Sequence, residues 1–220
     1  MDSREQTTAG FREALCNLER ELTLMRKHSR GLLEAKRYHD SNGLKLHLGC
    51  GSIPKEGWVN IDQDDNADLT LDLRESLPFR DSSCSIVYSE HFLEHIDYPE
   101  NVTMLLKECY RVLEPGGIFS VGVPDTEWPL LEYAGVVRNG YFEKAKTLWH
   151  PKWCETEMEH INYHFRQGTD HRFAYDFKTL KRVLSGAGFA EVTRRAFDPQ
   201  LDSKTRELGT LYVDARKPVR

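Results

Sequence analysis

The chain has 220 residues, 39% hydrophobic and 30% charged, with a formal net charge of -5. These values fit one globular domain with a full core and argue against a dedicated nucleic-acid binder, which carries a basic face. No apolar run approaches the ~18 residues that span a bilayer, so no membrane partner is expected. Met1–Gly10 lacks the apolar segment of a signal peptide. The five scattered cysteines, Cys16, Cys50, Cys84, Cys109 and Cys154, form no CxxC pair, which suits reduced thiols in a cytoplasmic protein.

Residues 11–38 read as a helix. Phe11, Leu15, Leu18, Leu22 and Met25 recur at four- and three-residue steps, and Leu32 continues the stripe. That face can pack on the domain, close over a site as a lid, or form a homodimer contact. Asp40-Ser41-Asn42-Gly43 then breaks the helix, which makes 1–43 an N-terminal helical extension.

From Leu44 strands alternate with helices. Strands are predicted at Leu44–Leu48, Trp58–Ile61, Leu69–Leu73, Ser85–Tyr88 and Ile118–Val123. Val102–Leu113 has the spacing of an amphipathic helix, with Glu114-Pro115-Gly116-Gly117 as its glycine cap and proline stop. Residues 124–175 interrupt the rhythm and hold ten of the 23 aromatic residues and four of the nine histidines. A helix over Asp176–Ala187 follows, then strand-like Glu191–Ala196 and Thr210–Ala215, joined without a helix as an antiparallel pair. The predicted fold is α/β: a Rossmann-like, doubly wound, mostly parallel sheet with a C-terminal antiparallel strand. An α-rich insert at 124–175 covers the substrate within a 44–220 domain.

Gly49-Cys50-Gly51 directly follows the first strand, where glycine lets a ligand approach the backbone, and ligands of open α/β sheets sit beyond the carboxyl ends of strands. Asp62, with Gln63 beside it, ends the next strand, where a carboxylate can take the two hydroxyls of a ribose. Asp72 and Leu73 end the third and offer a polar contact and an apolar wall. Ser89, Glu90 and His91 follow the fourth. A dinucleotide fits poorly. Pro54 stands where GxGxxG has its third glycine, and only seven residues separate Gly51 from Val59, too few for the usual crossover helix whose N-terminus holds a pyrophosphate. A nucleoside ligand without phosphates, such as S-adenosylmethionine (SAM), fits better.

The run Leu46-His47-Leu48-Gly49-Cys50-Gly51, then Gly57–Asp62, Leu71-Asp72-Leu73, Leu77-Pro78-Phe79, Glu90–Ile96 and Leu113–Gly117, resembles class I SAM-dependent methyltransferases. It is most similar to the small bacterial type associated with sugar or secondary-metabolite pathways. The resemblance covers residues 44–124 and, through His171–Tyr175 and Leu211–Lys217, 170–217. It implies SAM as cofactor, a Rossmann-like fold and binding by His47, Gly49, Cys50, Gly51, Asp62, Gln63, Asp72, Leu73, Ser89, Glu90 and His91. Two departures stand out: His47 replaces the acid that opens the family's glycine motif, and the helix after the loop is cut to a turn.

Methyl transfer is an in-line displacement, so alignment does most of the work; a weakly acidic hydroxyl also needs a base, for which histidine is the usual choice. His160, His164, His171 and His91 are the candidates, each also able to serve in capping or packing, and His95 reads as structural. His160 and His164 share a face if their segment is helical. With no HExxH and no evident third ligand, no metal is expected. Asp125, Trp128 and Tyr163 are candidate acceptor contacts. The expected function is methylation of a small polar metabolite, at oxygen, with a histidine base. N-methylation and a non-catalytic SAM-fold interaction protein are the alternatives.

Overall fold

Most of the strand positions that the helical layers cover are apolar and fully buried: Leu46, Leu48, Ile61, Val87 and Val121 have no exposed surface. This near-continuous apolar run is what a sheet covered on both faces requires. The computed structural model describes residues 7–219; Met1–Gln6 of the N-terminal extension and Arg220 lie outside the described residues.

Seven strands form one sheet in the order β3-β2-β1-β4-β5-β7-β6. β1 (Leu44–Leu48), β2 (Val59–Asp62), β3 (Leu69–Thr70), β4 (Cys84–Glu90) and β5 (Leu113–Pro124) run parallel. β7 (Thr210–Arg216) is antiparallel to β5 and to β6 (Ala190–Arg194). The chain winds outward from β1 to β3, then returns to place β4 on the other side of β1. That reversal opens a crevice at the carboxyl ends of β1 and β4, the usual ligand position in such sheets.

The expected doubly wound, mostly parallel sheet is therefore the observed one, with local differences. β3 ends at Thr70, because Leu71 N bonds back to the Asp62 carbonyl and the chain turns at Asp72. Helix α2 (Glu100–Val112) stops with Leu113 extended, before the Pro-Gly-Gly that was expected to cap it. The residue before a proline is pushed toward extended backbone, and here β5 already begins at Leu113 and carries Pro115-Gly116-Gly117 as an irregularity against β4.

Helix α1 (Ala9–Ala35) starts at Thr8, whose hydroxyl accepts from Phe11 N. Its last third rests on β3. A Cβ at Gly31 would stand 2.2 Å from the Thr70 carbonyl, so only glycine permits that approach. The apolar stripe is otherwise outward: Phe11, Leu18 and Met25 are each more than half exposed. Between β5 and α6 (Phe177–Gly186) the insert folds as α3 (Glu127–Tyr133), α4 (Tyr141–Leu148) and α5 (Glu157–Arg166). A reciprocal Thr156–Glu159 capping box starts α5, and Asp176 caps α6 through Thr179 N. Among the described residues, no helix is long and apolar enough to cross a membrane. The five cysteines are free thiols, with Cys16 exposed and the other four buried.

Candidate functional site

Two cavities open at the carboxyl ends of the strands. The larger, about 540 Å³, lies over the β1 loop. Gly49 and Gly51 form its floor with positive φ of 66° and 50°. The Asp62 carboxylate accepts from Gly51 N at 2.8 Å on one oxygen, and from Gln63 N at 2.7 Å and Asp64 N at 3.2 Å on the other. A carboxylate has about four acceptor directions, so Asp62 is fixed in place and keeps capacity for a ligand hydroxyl. Leu71 and Leu73 supply an apolar wall.

The side chain of Asp72 is already engaged. Arg74 grips it with Nε at 2.9 Å and a guanidinium nitrogen at 2.7 Å, and reaches Glu21 of α1 at 2.6 Å. The Asp72 backbone N donates to His28 Nδ1 at 3.1 Å. Helix α1 is thereby tied to the rim, and Glu21 and Leu24 join the lining.

Of the expected cofactor residues, Gly49, Gly51, Asp62, Gln63, Asp72, Leu73 and His91 line this cavity, while His47, Cys50, Ser89 and Glu90 do not. Alternation along a strand sends neighbouring side chains to opposite faces. His47 is buried with Nδ1 3.3 Å from Asn60 Oδ1 and its ring 5.2 Å from that of Tyr88. Burial, aided by Lys55, holds its pKa down at about 4. Burial and Asp62 push the Cys50 thiol up to about 12. Ser89 Oγ is buried without a partner. Glu90 accepts from Ser203 N and from the Tyr212 hydroxyl at 3.0 Å, and burial raises its pKa.

The smaller cavity, about 230 Å³, lies between the insert and the segment preceding β7. Trp128, Tyr141, Trp149 and Tyr163 give it aromatic walls, and His91, His150, His164 and His171 also line it. Trp128 fits across the mouth because residue 209 is glycine: a Cβ there would stand 2.5 Å from the indole, and φ is +83°. Asp125 is outside the lining; its carboxyl accepts from Glu127 N, and burial raises its pKa.

The expected histidines separate in space. His160 and His164 share α5, as their spacing implies. His160 is buried behind the cavity with Nδ1 2.8 Å from His150 Nδ1, and Cys154 completes a cluster of three ligand-type side chains there. His164 bonds the Asp125 backbone, has Nε2 buried without a partner, and is lowered by burial to about 3. His171 donates Nδ1–H to the His164 carbonyl at 3.0 Å.

His91 and Arg206 line both cavities. His91 sits in left-handed backbone, φ +52°, and burial followed by Arg206 lowers its pKa to about 3. Arg206 donates to the Glu90 carbonyl at 2.6 Å. Sequence reasoning missed Arg206, which reaches the site through tertiary packing, whereas Tyr141 and Trp149 were among the insert aromatics expected to pack a cap or line a pocket. It also passed over Glu94, although an acid inside the apolar Phe92-Leu93-Glu94-His95-Ile96 was a visible signal. Glu94 is 1% exposed, both its oxygens are buried without a hydrogen bond, and burial raises its pKa to about 8.

The larger cavity fits a SAM-like nucleoside. It offers a glycine floor, an anchored carboxylate and an apolar wall. Its charged lining is mixed, with Glu21, Asp62, Asp64, Asp72, Asp97 and Asp170 facing Arg20, Arg74, Arg172 and Arg206.

Residues 59–121 match the family model described as a methyltransferase domain. Among solved structures, the chain is similar to a SAM-dependent methyltransferase from Methanosarcina mazei, at 18% identity and TM-score 0.50, covering 84% of this chain and 97% of that one. A SAM-dependent methyltransferase from Archaeoglobus fulgidus aligns at 17% identity over 90% and 94% of the two chains, with TM-score 0.48. A Thermotoga maritima protein described as a SAM-dependent methyltransferase and possible histamine N-methyltransferase aligns at 18% identity over 94% and 98%, with TM-score 0.46. No curated protein sequence matches the chain.

Proposed function

We propose that this chain, whose residues 59–121 match a methyltransferase-domain model, is a SAM-dependent enzyme that methylates an oxygen of a small polar metabolite. The observation that carries this reading is the shared wall: His91 and Arg206 line both the glycine-floored cavity and the aromatic one. A donor in the first and an acceptor in the second would meet there.

SAM, when bound, supplies a methyl on a positively charged sulfur, which becomes a neutral thioether as an oxygen electron pair takes the methyl. Gly49 and Gly51 let it lie against the loop backbone, Asp62 receives ribose hydroxyls, and Leu71 and Leu73 flank the base. The aromatic walls hold a flat ring or a sugar face, and Trp128 limits water at the mouth. Holding two reactants in line contributes up to roughly 7–11 kcal/mol in the best model systems, so positioning by these walls is the main catalytic device.

His91 takes the acceptor's proton. The Thr210 hydroxyl gives its proton to the Arg206 carbonyl and so accepts from His91 Nε2. His91 Nδ1 is then the free lone pair. At neutral pH the imidazole is uncharged and ready to accept.

Incubation with methyl-labelled SAM and panels of sugars and natural-product intermediates tests the proposal. Label is expected on a hydroxyl of a small molecule; transfer to protein or nucleic acid alone overturns it, and transfer to an amine corrects it to N-methylation.

A further inference from the structure

Where the two cavities meet, three ligand-type side chains face one another with no hydrogen bond among them. His95 donates Nδ1–H to the Asp170 carbonyl at 3.1 Å, and His171 donates Nδ1–H to the His164 carbonyl. Each therefore presents Nε2 as a bare lone pair. Their rings meet edge to face with centroids 5.0 Å apart. Glu94 adds a carboxylate with no hydrogen bond to either oxygen, its Oε1 4.0 Å from His95 Nε2 and 3.8 Å from His91 Nδ1. One ligand atom from each of Glu94, His95 and His171 lies within 4.8 Å of the other two.

A buried acceptor without a donor is costly, and both oxygens of Glu94 are in that position. A metal ion satisfies all three side chains at once. Donation of the second ring N–H to a backbone carbonyl is the usual support for a ligating histidine, since it fixes the tautomer and the ring plane. Two imidazoles and one carboxylate are a donor set for borderline divalent ions and leave coordination positions open.

We propose that Glu94, His95 and His171 bind one divalent cation such as Mn²⁺, Co²⁺ or Zn²⁺, whose open positions hold the oxygen of the acceptor. His95 and Asp170 border the SAM-side cavity and His171 the aromatic one, so the ion would stand at their junction. The inference deepens the methyl-transfer reading and rests on it. A cation on the acceptor oxygen lowers the pKa of its hydroxyl and so eases removal of its proton. The proton passes to His91, and the ion changes neither charge nor oxidation state.

The test uses tag-free full-length protein stripped with chelator and titrated with Mn²⁺ by electron paramagnetic resonance and with Co²⁺ by visible absorption. One equivalent of each is expected to bind. Glu94→Gln and His171→Asn should each weaken binding at least tenfold. Cys154→Ser, in the separate His150–Cys154–His160 cluster, should leave it unchanged. Absence of stoichiometric uptake overturns the proposal, as does uptake lost in Cys154→Ser and kept in Glu94→Gln. Calorimetry with S-adenosylhomocysteine on the same samples checks that the variants are folded. It also separates the two readings: metal-free protein that binds the nucleoside but takes up no ion sinks the cation site alone, whereas failure to bind the nucleoside sinks the SAM reading.

Discussion

Thr210 Oγ lies 2.7 Å from His91 Nε2, and its own proton is committed to the Arg206 carbonyl. One hydroxyl on the interior strand β7 thus decides which nitrogen of the shared histidine carries the proton. Nitrogen-15 NMR of labelled protein is expected to show His91 protonated at Nε2 in the wild type. In Thr210→Val, a substitution a strand accommodates, the two tautomers should mix. An unchanged tautomer in the variant would show that Thr210 does not set it.

Asp62 anchors three backbone amides, Gly51 in the glycine loop and Gln63 and Asp64 after β2. Hydrogen bonds to a charged group contribute about 1.5–3 kcal/mol. Asp62→Asn, which keeps the shape and removes the charge, should therefore weaken S-adenosylhomocysteine about 10–100-fold by calorimetry. Equal affinity in the variant would place the ribose elsewhere.

Gly31 brings the α1 backbone against β3, and a methyl there would stand 2.2 Å from the Thr70 carbonyl. Relief requires the helix to shift, and overpacking of this kind costs about 1–3 kcal/mol. Gly31→Ala should lower the urea midpoint accordingly. It should also weaken nucleoside binding, since Glu21 and Leu24 on α1 line that cavity. A midpoint equal to wild type would mean that α1 moves freely at this point.

His47 carries a pH dependence of definite sign. Its pKa falls from 6.5 to about 4 on folding, chiefly through burial and then Lys55. The unfolded chain therefore binds more protons than the folded one between those values, and stability falls as pH drops through that window. The difference corresponds to about 3 kcal/mol at full protonation. Urea midpoints at pH 7, 6, 5 and 4 should decline more steeply for wild type than for His47→Gln. Parallel declines would assign the acid sensitivity to other buried groups.

The order of the sheet was legible because buried parallel strands are rich in apolar residues, as in Val87-Tyr88 of β4 and Val121 and Val123 of β5, and because Gly49 and Gly51 mark the loop after the first. Which side chains reach the cavity was less so. His47 and Glu90 stand beside motif residues in sequence but point to the opposite face, a consequence of strand alternation that motif spacing does not carry. Arg206 is far along the chain from His91 and joins it only through tertiary packing. Glu94 was readable as an anomaly, a carboxylate among apolar neighbours, whereas the carbonyls that fix His95 and His171 come from Asp170 and His164 and belong to the fold alone. Cys154 escaped as a third ligand for the same reason: it lies in a loop, and only the packing of α4 and α5 brings it to His150 and His160.

The position of β7 between β5 and β6 has a consequence for synthesis. β6 sits at the sheet edge and pairs only with β7, which leaves the ribosome after it. Until residue 216 emerges, β5 keeps an open apolar edge and β6 has no strand to join. The same late segment brings Arg206, Leu208, Gly209 and Thr210 to the site. A nascent chain can thus form the glycine-floored half of the site early, but the wall shared with the acceptor closes only when the last strand slots in. Ligand binding at the junction therefore reports that β7 has docked between β5 and β6.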